Sequence, residues 1–503
     1  MNWFELFQRS FLDWDAMAAV LPTMLAVGLK NTILLAVAST LLGILIGIVI
    51  AVMGISESRW SRWFARVFTD IFRGLPAILT ILLVGQGFAS IGRQFFGASP
   101  YPLGILALSL IAGAYIGEIF RAGIQSIDRG QSEACRALSM SYNQGMRLIV
   151  IPQGIRRVLP ALVNQFISNI KDSSLVYFLG LLSSERELFR VGQDQAIATG
   201  NLSPLLLAGI FYLCITVPLT HFVNYIDHRL RTGGKPASIG SGLQELGELG
   251  AQTKAARDLS PLKGARVDVK GISVSFGDHK VLHDVALQIE PGTVTCIIGP
   301  SGSGKSTFLR TLNRLVEPQE GSIKIDGEES RTMKLEALRR RVGMVFQHFN
   351  LFPDHTALQN VSLAPIKIKG IARDKARSIG EARLADVGLA HKLHFRPNRL
   401  SGGQQQRVAI ARALAMEPEV ILFDEVTSAL DPELVKGILN LMADLAKRGI
   451  TMVVVTHEMG FARRVADQVV FMDEGRIIET GSPAKIFDNP ESMRLKRFLA
   501  EVL

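Results

Sequence analysis

Hydrophobic residues form long uncharged runs in the first half of the chain and short runs in the second half. The segment from Asn31 to Ser56 contains no charged residue, and about 20 apolar residues are enough for a helix to cross a bilayer. Similar runs recur as far as residue 226, so the pattern predicts an all-α membrane domain with five transmembrane helices. The predicted spans are 31–55, 72–91, 102–121, 158–182 and 203–226.

Two of the predicted spans are interrupted by residues that disturb a membrane helix. Pro76 lies in the second span, and Pro160 and the charged pair Lys171 and Asp172 lie in the fourth. Such residues are tolerated at membrane depth where neighbouring helices or a polar cavity satisfy the polar groups. An ionisable pair there is a functional candidate by default, but adjacent opposite charges also satisfy one another inside a bundle. We therefore assign no substrate-binding role to this pair.

The chain carries a formal net charge of +10, from 55 Lys and Arg residues against 45 Asp and Glu residues. Such a charge is typical either of nucleic-acid binding or of a membrane protein with basic residues on its cytoplasmic side. The basic residues follow the first, third and fifth predicted spans, which favours the membrane protein and predicts no nucleic-acid partner. It also places the N-terminus outside and the C-terminal half in the cytoplasm. The residues are Arg59, Arg62, Arg66, Arg129, Arg136, Arg147, Arg156, Arg157, Arg229, Arg231 and Lys235.

A phosphate-binding loop follows a predicted strand at Thr293–Ile298. The segment Gly299–Thr307 fits the pattern G-x-x-x-x-G-K-[ST], in which backbone N–H groups and a helix N-terminus hold phosphate oxygens. Lys305 is predicted to reach the β- and γ-phosphates of ATP, and Ser306 to bind Mg²⁺. The predicted ATP-binding residues of this loop are Gly299, Pro300, Ser301, Gly302, Ser303, Gly304, Lys305, Ser306 and Thr307.

A second predicted buried strand, Val420–Glu425, ends in two adjacent carboxylates. Alone it would be an ordinary strand end, because two acids side by side are unfavourable unless a cation lies near them. Beside a phosphate-binding loop, Asp424 is predicted to hold Mg²⁺, directly or through water. Glu425 is predicted to act as the general base that polarises the attacking water.

A second anion site is predicted at the segment Leu400–Gln404, where a Ser and two Gly residues open a helix. Unpaired N–H groups and the positive end of the helix dipole favour anions there. One ATP molecule does not need two such sites from the same chain. The domain resembles the nucleotide-binding domain of ABC transporters, in which ATP lies between two domains. The resemblance implies that four residues contact the γ-phosphate of ATP held by the opposite domain: Ser401, Gly402, Gly403 and Gln404.

The other elements of that family occur in the same order along this chain. The resemblance assigns Gln347 to sensing Mg²⁺ and the attacking water, and His457 to contacting the γ-phosphate as the switch histidine. It assigns Phe276 to stacking on adenine, and the segment Ser428–Asp431 to the dimer interface. An isolated histidine or phenylalanine is more often structural. The functional interpretation rests on the ordered set, and it is weakest for Phe276.

The segment Asp128–Arg157, between the third and fourth spans, resembles the coupling motif of binding-protein-dependent ABC importers. The motif begins at Glu133 and Ala134, with Cys135 in place of a second alanine and Ser139 in place of the usual glycine. Both replacements are small, so close docking of this helix remains possible. Without the rest of the chain, an exposed amphipathic helix would be the alternative interpretation.

Nearly the whole chain resembles one family, the polar amino acid uptake family of ABC importers, whose permease and ATPase are commonly separate chains. The matching segments include Phe72–Pro76, Glu118–Ile124 and Leu159–Phe166 in the first half and Phe349–Pro353 in the second. The resemblance predicts a type I importer-like membrane domain fused to an α/β P-loop ABC ATPase domain. The predicted boundaries are a permease domain at 1–231, a flexible linker at 232–264 and a nucleotide-binding domain at 265–503.

The resemblance also predicts how the machine is assembled. ATP and Mg²⁺ are the expected cofactors, and the expected location is a prokaryotic plasma (inner) membrane, in contact with its lipid. Two copies of the chain are expected to form a homodimer, served by a separate extracytoplasmic substrate-binding protein that delivers a polar amino acid. Another small polar solute, an exporter, and replacement of one copy by an additional permease chain remain open. A soluble ABC protein of translation or DNA repair is disfavoured by the membrane spans.

Overall fold

The computed structural model describes residues 3–231 and 263–502. Its contacts divide the chain into two compact units. The first contains Met1–Ile127 and Ile151–Gly233, and the second contains Asp128–Val150 and Gly234–Leu503. The segment 128–150 therefore belongs to the second unit, although it lies between predicted spans. The predicted linker at 232–264 lies outside the described residues, except for its last two positions.

The regular elements in the described part of the first unit are all helices, so the predicted all-α membrane domain is confirmed. A π-helical turn at Met24–Leu29 joins α2 to α3, and 3₁₀ turns cover Ser173–Leu179 and Ser183–Glu185. The helices are α1 (Trp3–Phe11), α2 (Trp14–Thr23), α3 (Lys30–Ile55), α4 (Arg59–Gly74), α5 (Ala77–Gly87), α6 (Ala89–Phe96), α7 (Tyr101–Gln125), α10 (Ile151–Asp172), α11 (Leu188–Thr199) and α12 (Ser203–Arg231).

Three continuous helical segments among the described residues are long and apolar enough to cross a membrane. They are Trp14–Ile55, Tyr101–Gln125 and Ser203–Tyr225, and they contain nearly all of the first, third and fifth predicted spans. A fourth is added if α4 and α5, which meet at an angle of 105°, form one broken span. In the region of the predicted fourth span, α10 ends at Asp172 and a 3₁₀ turn follows.

Helices α3 and α7 pack closely because glycines face each other along their contact. A Cβ atom added at Gly47 would lie 2.7 Å from Ile116 Cγ2, and one added at Gly113 would lie 2.6 Å from Ile46 Cγ2. Small residues at such positions let two membrane helices approach closely enough for van der Waals packing to hold them together. Any larger side chain at these positions would force the helices apart.

The second unit contains two sheets. The first is antiparallel, with strand order β2-β1-β4-β5, and the second has the order β10-β9-β3-β8-β7-β6. Strands β9, β3, β8, β7 and β6 run parallel, and β10 pairs with β9 in the antiparallel sense. The strands are β1 (Val267–Phe276), β2 (His279–Ile289), β3 (Val294–Ile298), β4 (Glu320–Ile325), β5 (Glu328–Glu329), β6 (Val342–Val345), β7 (Val420–Asp424), β8 (Thr451–Val455), β9 (Gln468–Asp473) and β10 (Arg476–Gly481).

Every residue of β3, β6, β7 and β8 in the second sheet is buried. Parallel strands covered on both faces require such continuous hydrophobic runs, which confirms the predicted α/β fold. The helices are α8 (Arg129–Ala137), α9 (Tyr142–Gly145), α13 (Lys305–Leu312), α14 (Leu335–Arg341), α15 (Ala357–Lys367), α16 (Arg373–Asp386), α17 (Gly402–Leu414), α18 (Pro432–Ala446), α19 (Met459–Val465), α20 (Pro483–Asp488) and α21 (Met493–Val502).

Candidate ATP site and docking segment

The phosphate-binding loop connects β3 to α13 through backbone conformations that favour glycine. Gly299 and Gly304 have φ angles of +148° and +93°. A Cβ atom at Gly299 would lie 2.0 Å from the carbonyl oxygen of Met472. The loop therefore packs tightly on the neighbouring strand, and its backbone can turn its N–H groups toward a bound anion.

Lys305 lies at the start of α13 with its side chain folded across this loop. Its Nζ donates hydrogen bonds to the carbonyl oxygens of Gly299 at 2.9 Å and Pro300 at 2.7 Å. Burial lowers the pKa of Lys305, and the nearby carboxylates of Glu425 and Asp424 oppose that shift. The ammonium group is thus held beside the phosphate-binding backbone by carbonyl dipoles and acidic neighbours.

Ser306 and Asp424 form the candidate Mg²⁺ site. The Ser306 hydroxyl donates to Asp424 Oδ1 at 2.6 Å, and Asp424 is almost fully buried. Burial raises the pKa of the Asp424 carboxyl, whereas Ser306 and Arg310 oppose the rise. A hydroxyl and a carboxylate are hard oxygen donors that suit Mg²⁺, which commonly takes its other ligands from phosphates and water. The residues present therefore fit the ion.

Glu425 lies at the centre of a polar group of side chains. Gln347 Nε2 donates to Glu425 Oε2 at 3.3 Å, and the Ser428 hydroxyl donates to the same oxygen at 3.3 Å. His457 Nε2 lies 3.3 Å from Glu425 Oε1. Glu425 itself has a φ angle of +46°, which is uncommon for a residue with a side chain.

The order of the strands explains why these residues meet. The phosphate-binding loop follows β3, His457 follows β8, and Asp424 ends β7; these three strands are neighbours in that order. Gln347 follows the next strand, β6. The carboxyl ends of parallel strands lie at the same edge of a sheet, and ligands of open α/β sheets bind there. The fold thus places four separate sequence segments at one edge.

The remaining predicted ATP contacts lie in other surroundings. Phe276 ends β1 and is 55% exposed, so its side chain is accessible. Ser401 caps α17: its hydroxyl accepts from Gln404 N at 3.4 Å, and Gln404 Oε1 accepts from Ser401 N at 3.1 Å. The side chain of Gln404 is buried in this capping box. Among the described residues, the hydrogen bonds of Ser401, Gly402, Gly403 and Gln404 do not join them to the phosphate-binding loop.

The docking segment, residues 128–150, contacts the ATPase part of its unit through α8. Gln131 Nε2 donates to the carbonyl oxygen of Leu351 at 3.0 Å. Glu133 lies 3.6 Å from Arg310, which is also 3.5 Å from Asp424. Arg310 therefore connects the docking segment to the carboxylate of the candidate Mg²⁺ site.

An apolar cluster continues this contact. The fully buried Phe352 packs with small side chains of α8, chiefly Ala134 and Cys135. Burial raises the pKa of the Cys135 thiol to about 12, so the thiol is neutral. The cluster consists of Ala134, Cys135, Leu138, Met140, Ile149, Phe352, Ala364 and Met416.

Two arginines of this contact were not predicted from the sequence. Arg412 is buried and donates to the carbonyl oxygens of Phe349 at 3.2 Å and Asn350 at 2.8 Å. Burial lowers its pKa to about 10. The sequence gives little indication that Arg412 is buried, because arginine in a helix is mostly exposed. The contacts of Arg310, on α13, with Glu133 and Asp424 are equally hard to predict from the sequence.

Ser139 occupies a backbone conformation that suits glycine. Its φ angle is +64°, and its hydroxyl is buried without a hydrogen-bond partner among the described residues. We expect Ser139→Gly to raise the stability of the second unit by about 1 kcal/mol, because glycine removes left-handed strain and an unsatisfied polar group. The gain is reduced by the greater freedom of glycine in the unfolded chain. Thermal unfolding of the full chain measures it.

Ser141 provides a matched control for that substitution. It has a φ angle of −65°, and its hydroxyl caps α9 by accepting from Gln144 N at 3.3 Å. Ser141→Ala should lower the stability by about 1 kcal/mol, since a helix cap is lost. If Ser139→Gly lowered the unfolding temperature as well, strain at Ser139 would be refuted.

Comparison with known proteins identifies both parts of the chain. Residues 282–428 match the ABC transporter family, and residues 43–232 match the family of binding-protein-dependent transport system inner membrane components. The solved ATP-binding cassette MJ0796, in a dimeric post-hydrolysis state bound to ADP and Pi, is 38% identical, with a TM-score of 0.40. That match covers 43% of this chain and 98% of the solved one.

Two curated relatives match the second part over their full length or nearly so. The arginine transport ATP-binding protein ArtM of Bacillus subtilis is 52% identical over 239 residues, which are 47% of this chain and 100% of ArtM. The glutamine transport ATP-binding protein GlnQ of Escherichia coli is 50% identical over 238 residues, which are 47% of this chain and 99% of GlnQ. This chain therefore belongs to the ABC transporter family, as an importer-type permease and an ATP-hydrolysing transport ATPase of the polar amino acid uptake family joined in one polypeptide.

Proposed function

We propose that the protein imports a polar amino acid across a prokaryotic plasma membrane, using ATP and a separate binding protein. The main support is that one chain contains both a permease-family unit and an ATPase whose relatives are named for arginine and glutamine transport. The docking segment supports coupling between the two activities, because it lies between membrane helices in the sequence and packs with the ATPase strands and helices.

We propose the following roles in ATP hydrolysis. Glu425 accepts a proton from the attacking water as its oxygen bonds to the γ-phosphorus, and ADP leaves. Gln347 and His457, each within 3.3 Å of this carboxylate, hold it and the water in line. Lys305 neutralises charge that develops on the phosphates.

The Mg²⁺ ion would be held by the Ser306 hydroxyl and the Asp424 carboxylate, with Gln347 as a further ligand. When bound, it supplies charge that offsets the phosphate oxygens. Arg310 stays close to Asp424 and fixes its orientation. The adenine would stack on the exposed ring of Phe276.

The proposed assembly is a homodimer, because each chain supplies one phosphate-binding loop and one signature segment, Ser401–Gln404. Two identical chains with two-fold symmetry complete two sites. Light scattering in detergent should therefore give twice the 55.0 kDa mass of the chain. A stable monomer with full ATPase activity would refute the assembly.

Complementation between two inactive variants tests whether each ATP site combines the phosphate-binding loop of one chain with the signature segment of the other. Lys305→Ala should disable the loop of its own chain, and Ser401→Arg should disable the signature segment. Each variant alone has two defective sites and should be inactive. In a mixed dimer, one site joins an intact loop to an intact signature segment, so part of the ATPase activity should return. If the mixture stays inactive although the mixed dimer forms, the site is not shared in this way.

The substrate class is tested by purifying the complex with its binding protein and identifying the bound small molecule by mass spectrometry. We expect a polar amino acid, whose uptake into proteoliposomes should then require ATP and the binding protein. A different small polar solute would overturn the substrate class alone. ATP-driven movement in the opposite direction would overturn import in favour of export.

The N-terminus is proposed to lie outside and the ATPase in the cytoplasm. The arginines that follow the first, third and fifth predicted spans support this orientation. Labelling of a cysteine placed near the N-terminus by a membrane-impermeant reagent in intact cells tests it. Labelling only after lysis would reverse the assignment.

A further inference from the structure

Helix α4 of the first unit has three separate faces along its 16 residues. One face is buried at Ala65 and Thr69, where the helix packs against α3 and α7. The other two faces are exposed, and one is apolar while the other is charged. Such a division is typical of a helix that lies in the plane of a membrane surface.

The apolar face of α4 carries large side chains that no other described element of this unit covers. Trp60 is 81% exposed and Trp63 is 58% exposed. Phe64 and Ile71 lie on the same side of the helix and are about half exposed. Tryptophan prefers the level of the lipid headgroups, where its ring is apolar and its N–H group remains wet.

The charged face carries residues spaced three or four apart, so they form one stripe along the helix. Arg62 donates to the carbonyl oxygens of Ser56 and Glu57, and Arg73 lies 3.7 Å from Glu118. Each of these two arginines thus has a protein partner. The stripe consists of Arg59, Arg62, Arg66, Asp70 and Arg73.

Arg59 and Arg66 remain available for another partner. Both are exposed, and within residues 3–231 and 263–502 neither has a carboxylate within ion-pair distance. With Asp70 as the only acid on the stripe, its net charge is +3. The stripe is therefore complementary to an anionic surface.

The neighbouring helices place α4 at the level of a bilayer surface. It begins four residues after α3, which is long enough to span, and it meets α5 at 105°. If α5 runs along the membrane normal, α4 must run nearly parallel to the surface. Its sequence also has too many arginines for the hydrocarbon interior.

We propose that α4 is an interfacial helix whose apolar face enters the bilayer and whose Arg59 and Arg66 bind the phosphates of anionic phospholipids. The proposed orientation places this contact in the cytoplasmic leaflet. Arginine suits the phosphate group because its guanidinium donates two parallel hydrogen bonds. The occupant of this face is lipid, and not a second copy of the chain.

Tryptophan fluorescence provides a direct test, since the chain has four tryptophans. In a Trp3→Phe/Trp14→Phe background, emission arises only from Trp60 and Trp63. The full-length protein is placed in phosphatidylcholine vesicles containing either brominated phosphatidylglycerol or brominated phosphatidylcholine. Each arginine or lysine near an anionic membrane surface strengthens binding to anionic over neutral lipid by roughly fivefold. Brominated phosphatidylglycerol should therefore quench the tryptophan emission at a mole fraction at least about fivefold lower than brominated phosphatidylcholine does. High salt should remove this difference, because it screens the charges.

Variants identify the groups that carry the preference. Arg59→Gln/Arg66→Gln should abolish the preference for phosphatidylglycerol while both lipids still quench. Arg59→Lys/Arg66→Lys should retain most of it. Arg373→Gln/Lys375→Gln removes two exposed cations from the second unit and should change nothing. If the first variant fails to fold, the salt dependence of the unaltered stripe decides the question.

Two outcomes would overturn the proposal. Equal quenching by the two lipids would show that the arginines select no anionic lipid. Absence of quenching by both would show that protein, such as a second copy, covers the apolar face. The measurement requires no transported solute, so its failure would leave the proposed import function untouched.

Discussion

Glu425→Gln should reduce the rate of ATP hydrolysis by roughly 10² to 10⁴-fold, the contribution of a well-placed general base. Glutamine keeps the size of the side chain and its contacts with Gln347 and Ser428, so ATP should still bind. Because the water is no longer activated, ATP should remain trapped between two closed ATPase units. Phosphate release at saturating Mg²⁺ and ATP measures the first effect, and nucleotide retained after gel filtration measures the second.

A neighbouring carboxylate provides the control for this substitution. Glu458→Gln removes one negative charge directly after His457 in the sequence and should hydrolyse ATP at close to the normal rate. If Glu425→Gln kept its rate within about tenfold of the unaltered protein, general-base catalysis by Glu425 would be excluded. Loss of ATP binding in this variant would instead show a structural role for the carboxylate.

Ala134→Leu should abolish transport while much of the basal ATPase activity remains. Ala134 is 1% exposed and belongs to the cluster around Phe352. Three additional carbon atoms cannot enter this packed cluster without a cost of about 1–3 kcal/mol. The docking segment should therefore detach or shift away from Phe352, because this apolar contact has no space for the larger side chain. Uptake into proteoliposomes and ATP hydrolysis are measured on the same sample.

Two further variants separate disrupted docking from general unfolding. Ser132→Leu adds a large side chain to an exposed position of the same helix and should leave transport intact. Met416→Ala removes volume from the cluster, so combined with Ala134→Leu it should restore part of the transport. Normal uptake by Ala134→Leu alone, with unchanged stability, would show that this contact does not couple the two activities.

The sequence predicted five spans, whereas the described residues contain three helical segments long and apolar enough to cross a membrane, or four if α4 and α5 form one broken span. The first predicted span was also too short. The span predicted at 31–55 is the end of a continuous helical segment, Trp14–Ile55. The prediction began after Lys30, because a charged residue ends a hydrophobic run. The π-helical turn at Met24–Leu29 carries the helix past Pro22 and through to Lys30, and hydropathy alone does not reveal such continuation.

The sequence by itself determined the features that depend on neighbouring residues. The phosphate-binding loop, the paired carboxylates Asp424 and Glu425, and the strands β1 and β3 follow from local periodicity and from glycine chemistry. The order of the motifs along the chain also predicted the family. These features are local because backbone conformation and strand burial are set within a few residues.

Only the tertiary structure decided which distant residues act together. It placed Arg310 between Glu133 and Asp424, and buried Arg412 against the carbonyl oxygens of Phe349 and Asn350. It also decided the angle of 105° between α4 and α5 and the exposure of Trp60 and Trp63 on α4. Burial, pairing and crossing angle depend on what packs against a residue from elsewhere in the chain, and spacing along the sequence carries too little of that information.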